Sequence, residues 1–255
     1  MATNNIGKLF YEDYYSKDIN FIKVIKEGRT KETPKPIKDI NEKIKNSTLY
    51  RIKQPFKLKD TFEAKVLYPG LITGTGLVHN SKGITGGYNL GMHFDYTTGM
   101  PIVYGSSVKG VLRQYFVDFC KSRHNVPEED AKALWKEIFE GKRKEGEHKE
   151  ENIPMYERDV FFDAVITKTC KDGYFLADDS ITPHTQGPLK NPVPITMLKI
   201  AAGCTLEFRF LLHKSEINGK TYDENFKLEV FKDILGTVGI GAKTNVGYGQ
   251  LEVND

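Results

Sequence analysis

The sequence predicts an α+β domain whose elements run β, α, β, β, α, β between residues 61 and 253. Three observations carry that prediction. Two segments alternate apolar and polar residues: Phe62, Ala64, Val66 and Tyr68 share one face of the first, and Leu206, Phe208, Phe210 and Leu212 one face of the second. Two others repeat apolar residues at helical spacing. One carries Val108, Val111, Leu112, Tyr115, Phe116 and Phe119; the other carries Phe226, Val230, Phe231, Ile234 and Leu235. The β-rich runs at 160–166 and 249–253 complete the order.

Taken along the chain, residues 1–59 read as a basic N-terminal arm. Tyr14, Tyr15, Ile19, Ile22 and Ile25 give a loose helical rhythm, and Thr33-Pro-Lys-Pro36 interrupts it. Such an arm suits docking on a neighbouring molecule. Residues 60–255 then form a single domain. A strand at 61–68 leads into a polar excursion at about 69–99, which holds eight glycines and only Lys82 and Asp95 as formal charges. A loop that long is usually functional or disordered, and the motif-like order of this one argues for function. A helix at 106–123 follows, with Ser106 or Ser107 as its natural N-cap. A second insertion, about 124–158, contains a helix after Pro127 whose Leu134/Ile138 and Trp135/Phe139 pairs share a side. Gly141 ends it, and the mixed charges of 142–151 read as a solvated loop. A third insertion occupies about 170–200. The strand at 204–212 turns Glu207, Arg209 and Leu211 outward. The helix at 223–235 stops at Gly236. The resulting order is that of the ferredoxin-like split βαβ fold, in which two helices back a four-stranded antiparallel sheet. Sheets of this kind serve as RNA-binding platforms, but the aromatic signature of RRM domains is absent here.

The composition narrows the possibilities further. At 255 residues the chain can bury one large core. The net charge is only +3, yet residues 17–59 hold thirteen Lys/Arg against five Asp/Glu, so the basic charge is concentrated near the N-terminus. That asymmetry suits an anionic partner. Cys120, Cys170 and Cys204 lie too far apart for a metal knuckle and read as small buried apolar residues. With no apolar run of membrane length, a soluble, cytoplasmic protein is expected, with no membrane partner.

The segment Gly239-Ile-Gly-Ala-Lys-Thr-Asn-Val-Gly-Tyr-Gly249 carries the strongest functional signal. It follows a helix and precedes a strand, the reverse of a P-loop, and Ala242 separates Gly241 from Lys243. A dinucleotide fingerprint fails for the same reason. What remains is a flexible cationic loop able to lie along a nucleic-acid backbone. The other signal is the start of the 106–123 helix. Its free amides, with Lys109 and Arg113 one turn apart, offer an anion site.

Two of these segments, with a third, match a known family. The run Gly91-Met-His-Phe-Asp-Tyr-Thr-Thr-Gly-Met-Pro-Ile-Val-Tyr-Gly-Ser-Ser-Val-Lys-Gly-Val-Leu-Arg113 resembles the Gly-Ser-Ser/Lys-Gly/Arg signature of RAMP proteins, subunits of CRISPR effector complexes. Residues 239–249 look like the RAMP glycine-rich loop. Leu71-Ile-Thr-Gly-Thr-Gly-Leu-Val-His79, Phe161-Phe-Asp-Ala164, 178–184 and Asn191-Pro-Val-Pro-Ile195 are similar to the sixth-subunit group of type III-B (Cmr) complexes. Related Csm subunits share the first and last motifs.

The resemblance implies a non-catalytic backbone subunit, without cofactor or metal, that binds guide RNA near its 3′ end and the guide–target duplex. Its implied neighbours are the repeating backbone subunit, which does the cutting, and the head subunit. The implied RNA contacts are Ser106, Ser107, Lys109, Arg113, Gly241, Lys243, Thr244, Tyr248 and His79. Residues 69–99 would be a thumb-like hairpin, with Leu77, Val78 and Tyr88 able to wedge between bases.

Two rival readings stand beside this one. The resemblance also implies a catalytic one, since some RAMP relatives process CRISPR transcripts as metal-independent ribonucleases; His79, His93 and His184 lie in polar loops and could serve as the general acid–base groups. Asp95, Asp163 or the Asp178-Asp179 pair could assist a metal, although adjacent strand carboxylates point to opposite faces. Alternatively, the arm and the Trp135/Phe139 helix make a pure protein-docking module.

Overall fold

A computed structural model describes residues 5–15, 32–50, 58–77, 79, 81, 84–145, 149–182 and 194–253. Helix α1 (Ile6–Tyr11) and helix α2 (Lys35–Lys45) precede strand β1 (Asp60–Val66). Strand β2 (Ile102–Val103) leads directly into helix α3 (Gly105–Arg123), followed by helix α4 (Glu128–Trp135) and strands β3 (Lys142–Glu145) and β4 (Lys149–Asn152). Strands β5 (Val160–Phe161), β6 (Ala164–Lys168), β7 (Leu176–Ile181), β8 (Ile195–Ile200), β9 (Thr205–Leu211), β10 (Ser215–Ile217) and β11 (Lys220–Tyr222) come next. Helix α5 (Glu224–Val238) and strand β12 (Leu251–Val253) complete the described order.

The main sheet runs β12-β1-β9-β6-β2, with β5 also on β9, and each of its pairings is antiparallel. Both central strands alternate as their sequences require. Phe62, Ala64 and Val66 of β1 are buried beside Leu206, Phe208 and Phe210 of β9. The Phe62 and Phe208 rings stack at 5.2 Å. On this side α3 and α5 close the core: Phe231 lies 5.2 Å from Phe210 and 6.2 Å from Phe116. Tyr68 leaves the pattern. It precedes a cis peptide to Pro69, and its ring is 86% exposed. On the opposite face, Glu63 stands directly across from Glu207, a like-charge pair at the centre of the sheet. Arg209, expected to face outward, is buried there; its Nε and Nη2 donate to the Asp163 carbonyl at 3.1 and 2.7 Å.

Several expectations need correction. Helix α5 continues past Gly236 to Val238, and Gly239, at φ 72°, ends it. The 142–151 segment pairs as the β3–β4 hairpin. Gly141 does end the preceding turn, in the left-handed conformation. The described parts of the N-terminal arm belong to the main core: Ile6, Phe10, Tyr14, Ile37 and Ile44 are fully buried in it. They hold the 69–99 excursion by polar contacts as well. The Tyr11 hydroxyl donates to the Met92 carbonyl at 2.7 Å, and Asn41 Nδ2 to the Gly86 carbonyl at 3.0 Å.

The excursion itself shows no hairpin among its described residues. It makes isolated bridges from Leu71 to Ile200 and from Phe94 to Pro101, and it buries Ile72, Ile84, Tyr88, Met92 and Phe94. Tyr88 therefore cannot act as a wedge, because its side chain is fully buried and its hydroxyl binds Asp178. Leu77 is exposed, and Val78 lies outside the described residues. The paired excursion is β7–β8. Asp178 of this hairpin meets Lys45 and Tyr88, whereas Asp179 meets Lys199 at 2.5 Å and the Tyr248 hydroxyl at 2.7 Å. The two carboxylates do point apart, as strand geometry requires.

Candidate nucleic-acid interface

The glycine-rich loop is anchored rather than loose. Ala242 N donates to the Ile72 carbonyl at 2.9 Å, Gly249 N to the Gly70 carbonyl at 2.8 Å, and Ile240 N to the Gly249 carbonyl at 2.9 Å. The glycines make this possible. A Cβ on Gly241 would stand 2.4 Å from the Ile72 carbonyl oxygen, and one on Gly249 would stand 1.8 Å from that of Ile240. Both have positive φ, which side chains disfavour. The close approach read from these glycines is thus an approach of protein backbone to protein backbone. It presents the intervening turn, where Lys243 is exposed and held at φ 62°.

Anchoring the loop brings it against the start of α3. Between them lies a pocket of about 300 Å³. Thr73, Gly74, Thr75 and Gly76 form one wall; Val103, Ser107 and Val111 form another; Ile240, Gly241 and Ala242 form a third; and His93 completes the lining. The two motifs, some 130 residues apart, therefore meet at one site.

The start of α3 differs from expectation. The N-cap position is Tyr104, without a side-chain cap, so Ser106 and Ser107 lie inside the first turn. The cap comes from a distance: Asp163 Oδ1 accepts from Gly105 N at 2.7 Å. A carboxylate therefore already occupies part of the anion site expected there. Replacing Asp163 with alanine is expected to lower stability by about 1 kcal/mol through loss of this cap. A shift in urea midpoint at unchanged slope would register it, and an unmoved midpoint would refute the assigned role.

The remaining predicted contacts divide into two groups. Ser106 and Lys243 are exposed, and Lys243 has no ion-pair partner among the described residues. Lys109 is half-buried with its ammonium 5.5 Å from the Phe161 ring centroid. Its pKa is lowered, first by burial and then by Arg113 and Arg158. The like charges mark a cationic cluster one turn into the helix. Arg113 is exposed but engaged, 4.8 Å over the Trp135 ring and 3.2 Å from Glu140. Thr244 is half-buried in the turn after Lys243.

Two predicted contacts have structural work instead. Tyr248 is 8% exposed, and its hydroxyl is held by Asp179; burial first, then this carboxylate, pushes its pKa up to about 12. His79 is 3% exposed, inside the aromatic cluster of Phe10 and Tyr14. Its Nδ1 and Nε2 lie 2.7 and 2.8 Å from the carbonyls of Tyr88 and Phe10. Burial lowers its pKa against the pull of those carbonyls. Neither RNA contact nor acid–base catalysis suits so enclosed a ring. His184 lies outside the described residues.

Sequence reasoning undervalued His93, which it named only as a possible acid–base group. The ring stacks on Tyr104 at 3.9 Å and 17°, and its Nδ1 is buried without a hydrogen-bond partner. Burial pushes its pKa down while Asp163 pulls it up.

Comparison with known proteins agrees with this architecture. In fold, the chain resembles one in a cryo-EM structure of the type III-B Cmr-beta complex bound to cognate target RNA. The TM-score is 0.51 at 21% identity, covering 99% of this chain and 87% of that one. The CRISPR system CMR subunit Cmr6 of Saccharolobus solfataricus is 29% identical over 172 residues, or 66% of this chain. The match spans half the length of that relative. The family model of the RAMP superfamily matches residues 63–252, which take in the whole β1–β12 sheet apart from its outermost residues. The chain belongs to the RAMP superfamily.

Proposed function

We propose that this protein is a non-catalytic, RNA-binding backbone subunit of a type III-B (Cmr) CRISPR ribonucleoprotein. In this reading it acts in the cytoplasm in antiviral defence. It holds guide RNA near the 3′ end together with the guide–target duplex, and it contacts the repeating backbone subunit and the head subunit. Its β1, β6, β9 and β12 core is the ferredoxin-like platform of the family.

The observation that supports the reading is the convergence of the two family motifs on one pocket. Lys243 and Lys109 supply charge for phosphates, and Ser106, Ser107 and loop amides supply neutral donors. Base pairing, not the protein, carries sequence specificity in such complexes.

The test is affinity purification of the tagged chain from its host in gentle salt. Short CRISPR-derived RNAs and partner subunits are expected to accompany it; recovery of the chain alone, free of RNA, would overturn the proposal. Lys243→Ala is expected to weaken RNA retention by about 1–3 kcal/mol and to flatten the salt dependence by about 0.7 in log–log slope. Arg113→Ala is expected to act in the same direction but less strongly, because Arg113 must leave Glu140 to reach a phosphate. Retention unchanged in both variants would remove these residues from the interface.

A further inference from the structure

Arg113 is already occupied in the free protein. Its guanidinium lies 4.8 Å over the Trp135 ring, and its Nη2 is 3.2 Å from Glu140 Oε1. Both partners come from one continuous segment. Helix α4 ends at Trp135, and a single π-helical turn, Lys136–Glu140, carries the chain on to Gly141. Such turns are rare and are frequent at functional sites. This one is held by packing: Glu137, Ile138 and Phe139 are buried, and Gly141 closes it with its N–H on the Glu137 carbonyl. Trp135 Nε1 donates to the Arg113 carbonyl at 2.7 Å, so the indole is tied to the helix whose guanidinium it supports. The Glu140 carboxylate is thus brought to Arg113 by a fixed scaffold, which lowers the conformational entropy cost of the contact.

The surrounding charge gives that contact a meaning. Lys109, Arg113 and Arg158 lie close enough together for the two arginines to lower the Lys109 pKa, after burial. Asp159, the carboxylate that opposes them at Lys109, is committed to Lys227 at 2.7 Å. On the turn itself, Lys136 is taken by Glu150 at 2.5 Å. Glu140 therefore stands on Arg113 where an external anion would stand. With side chains 50% and 29% exposed, the Arg113–Glu140 pair is open to exchange, because an ion pair in contact with water is worth little. An isolated anion gains almost nothing by taking the place of Glu140. A polyanion whose further phosphates meet Lys109 and Lys243 gains from all of them together.

We infer that Glu140 is a built-in competitor of the guide-RNA backbone, holding Arg113 in the free protein and yielding it to a phosphate when RNA binds. The inference rests on the RNA-binding reading and adds to it a residue that opposes binding. Glu140 screens Arg113 from isolated anions and sets how tightly a bound strand is retained.

The experiment looks for a gain of affinity. A guide-length single-stranded RNA is titrated at low salt against the purified protein as wild type, Glu140→Gln, Arg113→Ala and the double variant. Glu140→Gln is expected to tighten binding about threefold, the scale of one exposed ion pair. In the Arg113→Ala background the same change is expected to give less than about 1.5-fold, because the group that Glu140 restrains is gone. Glu140→Asp, which keeps the charge but draws it back by one methylene, should also tighten binding. A gain of this kind cannot come from a misfolded variant. Unchanged or weaker binding by both Glu140 variants, with the wild type binding RNA, would overturn the competitor and leave the RNA-binding reading intact. An equal gain from Glu140→Gln in both backgrounds would also overturn it, by showing that the carboxylate repels RNA without acting through Arg113. Failure of the wild type to bind RNA would overturn the RNA-binding reading and the competitor with it.

Discussion

Replacing Lys227 with methionine is expected to cost about 3–5 kcal/mol of stability, because it strands a buried carboxylate. Lys227 and Asp159 have side chains only 2% and 3% exposed, and their charged atoms are 2.7 Å apart. The Lys227 ammonium also donates to the His213 carbonyl at 2.5 Å, and Asp159 accepts from His213 N at 2.7 Å. The pair thus fastens α5 to the segments that follow β9 and precede β5. Methionine fills most of the lysine volume, so packing loss is small and the effect reports the orphaned charge. Adding Asp159→Asn should recover a large part of the loss, since asparagine can still accept from His213 N without carrying charge. Chemical denaturation of the two single variants and the double variant tests this. Additive losses would show that the two groups do not act as a pair.

Gly249→Ala should cost about 3 kcal/mol or more, and its damage should reach the proposed RNA interface. The residue has φ 69°, and an added methyl would collide with the Ile240 carbonyl oxygen. Relief requires opening the Ile240–Gly249 or Gly249–Gly70 hydrogen bond, which releases the loop from residues 70–72. The expected result combines a lower melting temperature with weaker RNA retention, although no phosphate-binding side chain has changed. Gly247→Ala is the control: it also has positive φ, but its nearest added contact would be 3.6 Å from Pro69. It should show only the backbone cost of about 1 kcal/mol. Equal losses in the two variants would mean that close backbone approach is not what Gly249 provides.

The contrast between Gly249 and Lys227 shows how much a sequence of this kind discloses. The period-two and helical stripes located the sheet and its two helices, because each buries one face and the apolar residues must follow the geometry. The glycine spacing located the loop, but for a different purpose: nothing local shows that a carbonyl from residue 72 fills the space at Gly241. Lys227 lies four residues before Phe231 and three before Val230, hence on the buried stripe of α5. That spacing is a legible sign of a core-facing cation, although its partner at 159 is not. Asp163 as a cap and His79 as a core residue depend on contacts 58 and 69 residues away in sequence. Turn chemistry and periodicity carry no record of such pairings. The pocket was readable in its parts, the 71–79 run and the two motifs, but not as a single cavity.

Strand β1 lies in the middle of the sheet, yet its neighbours are β9 and β12, about 140 and 190 residues later in the chain. During synthesis it must therefore leave the ribosome unpaired, with the edges of Phe62, Ala64 and Val66 uncovered, and remain so until residues 205–211 have emerged. The glycine loop that seals residues 70–72 arrives later still. A nascent chain with this order of pairing has a long window in which an unpaired apolar strand edge is exposed to aggregation.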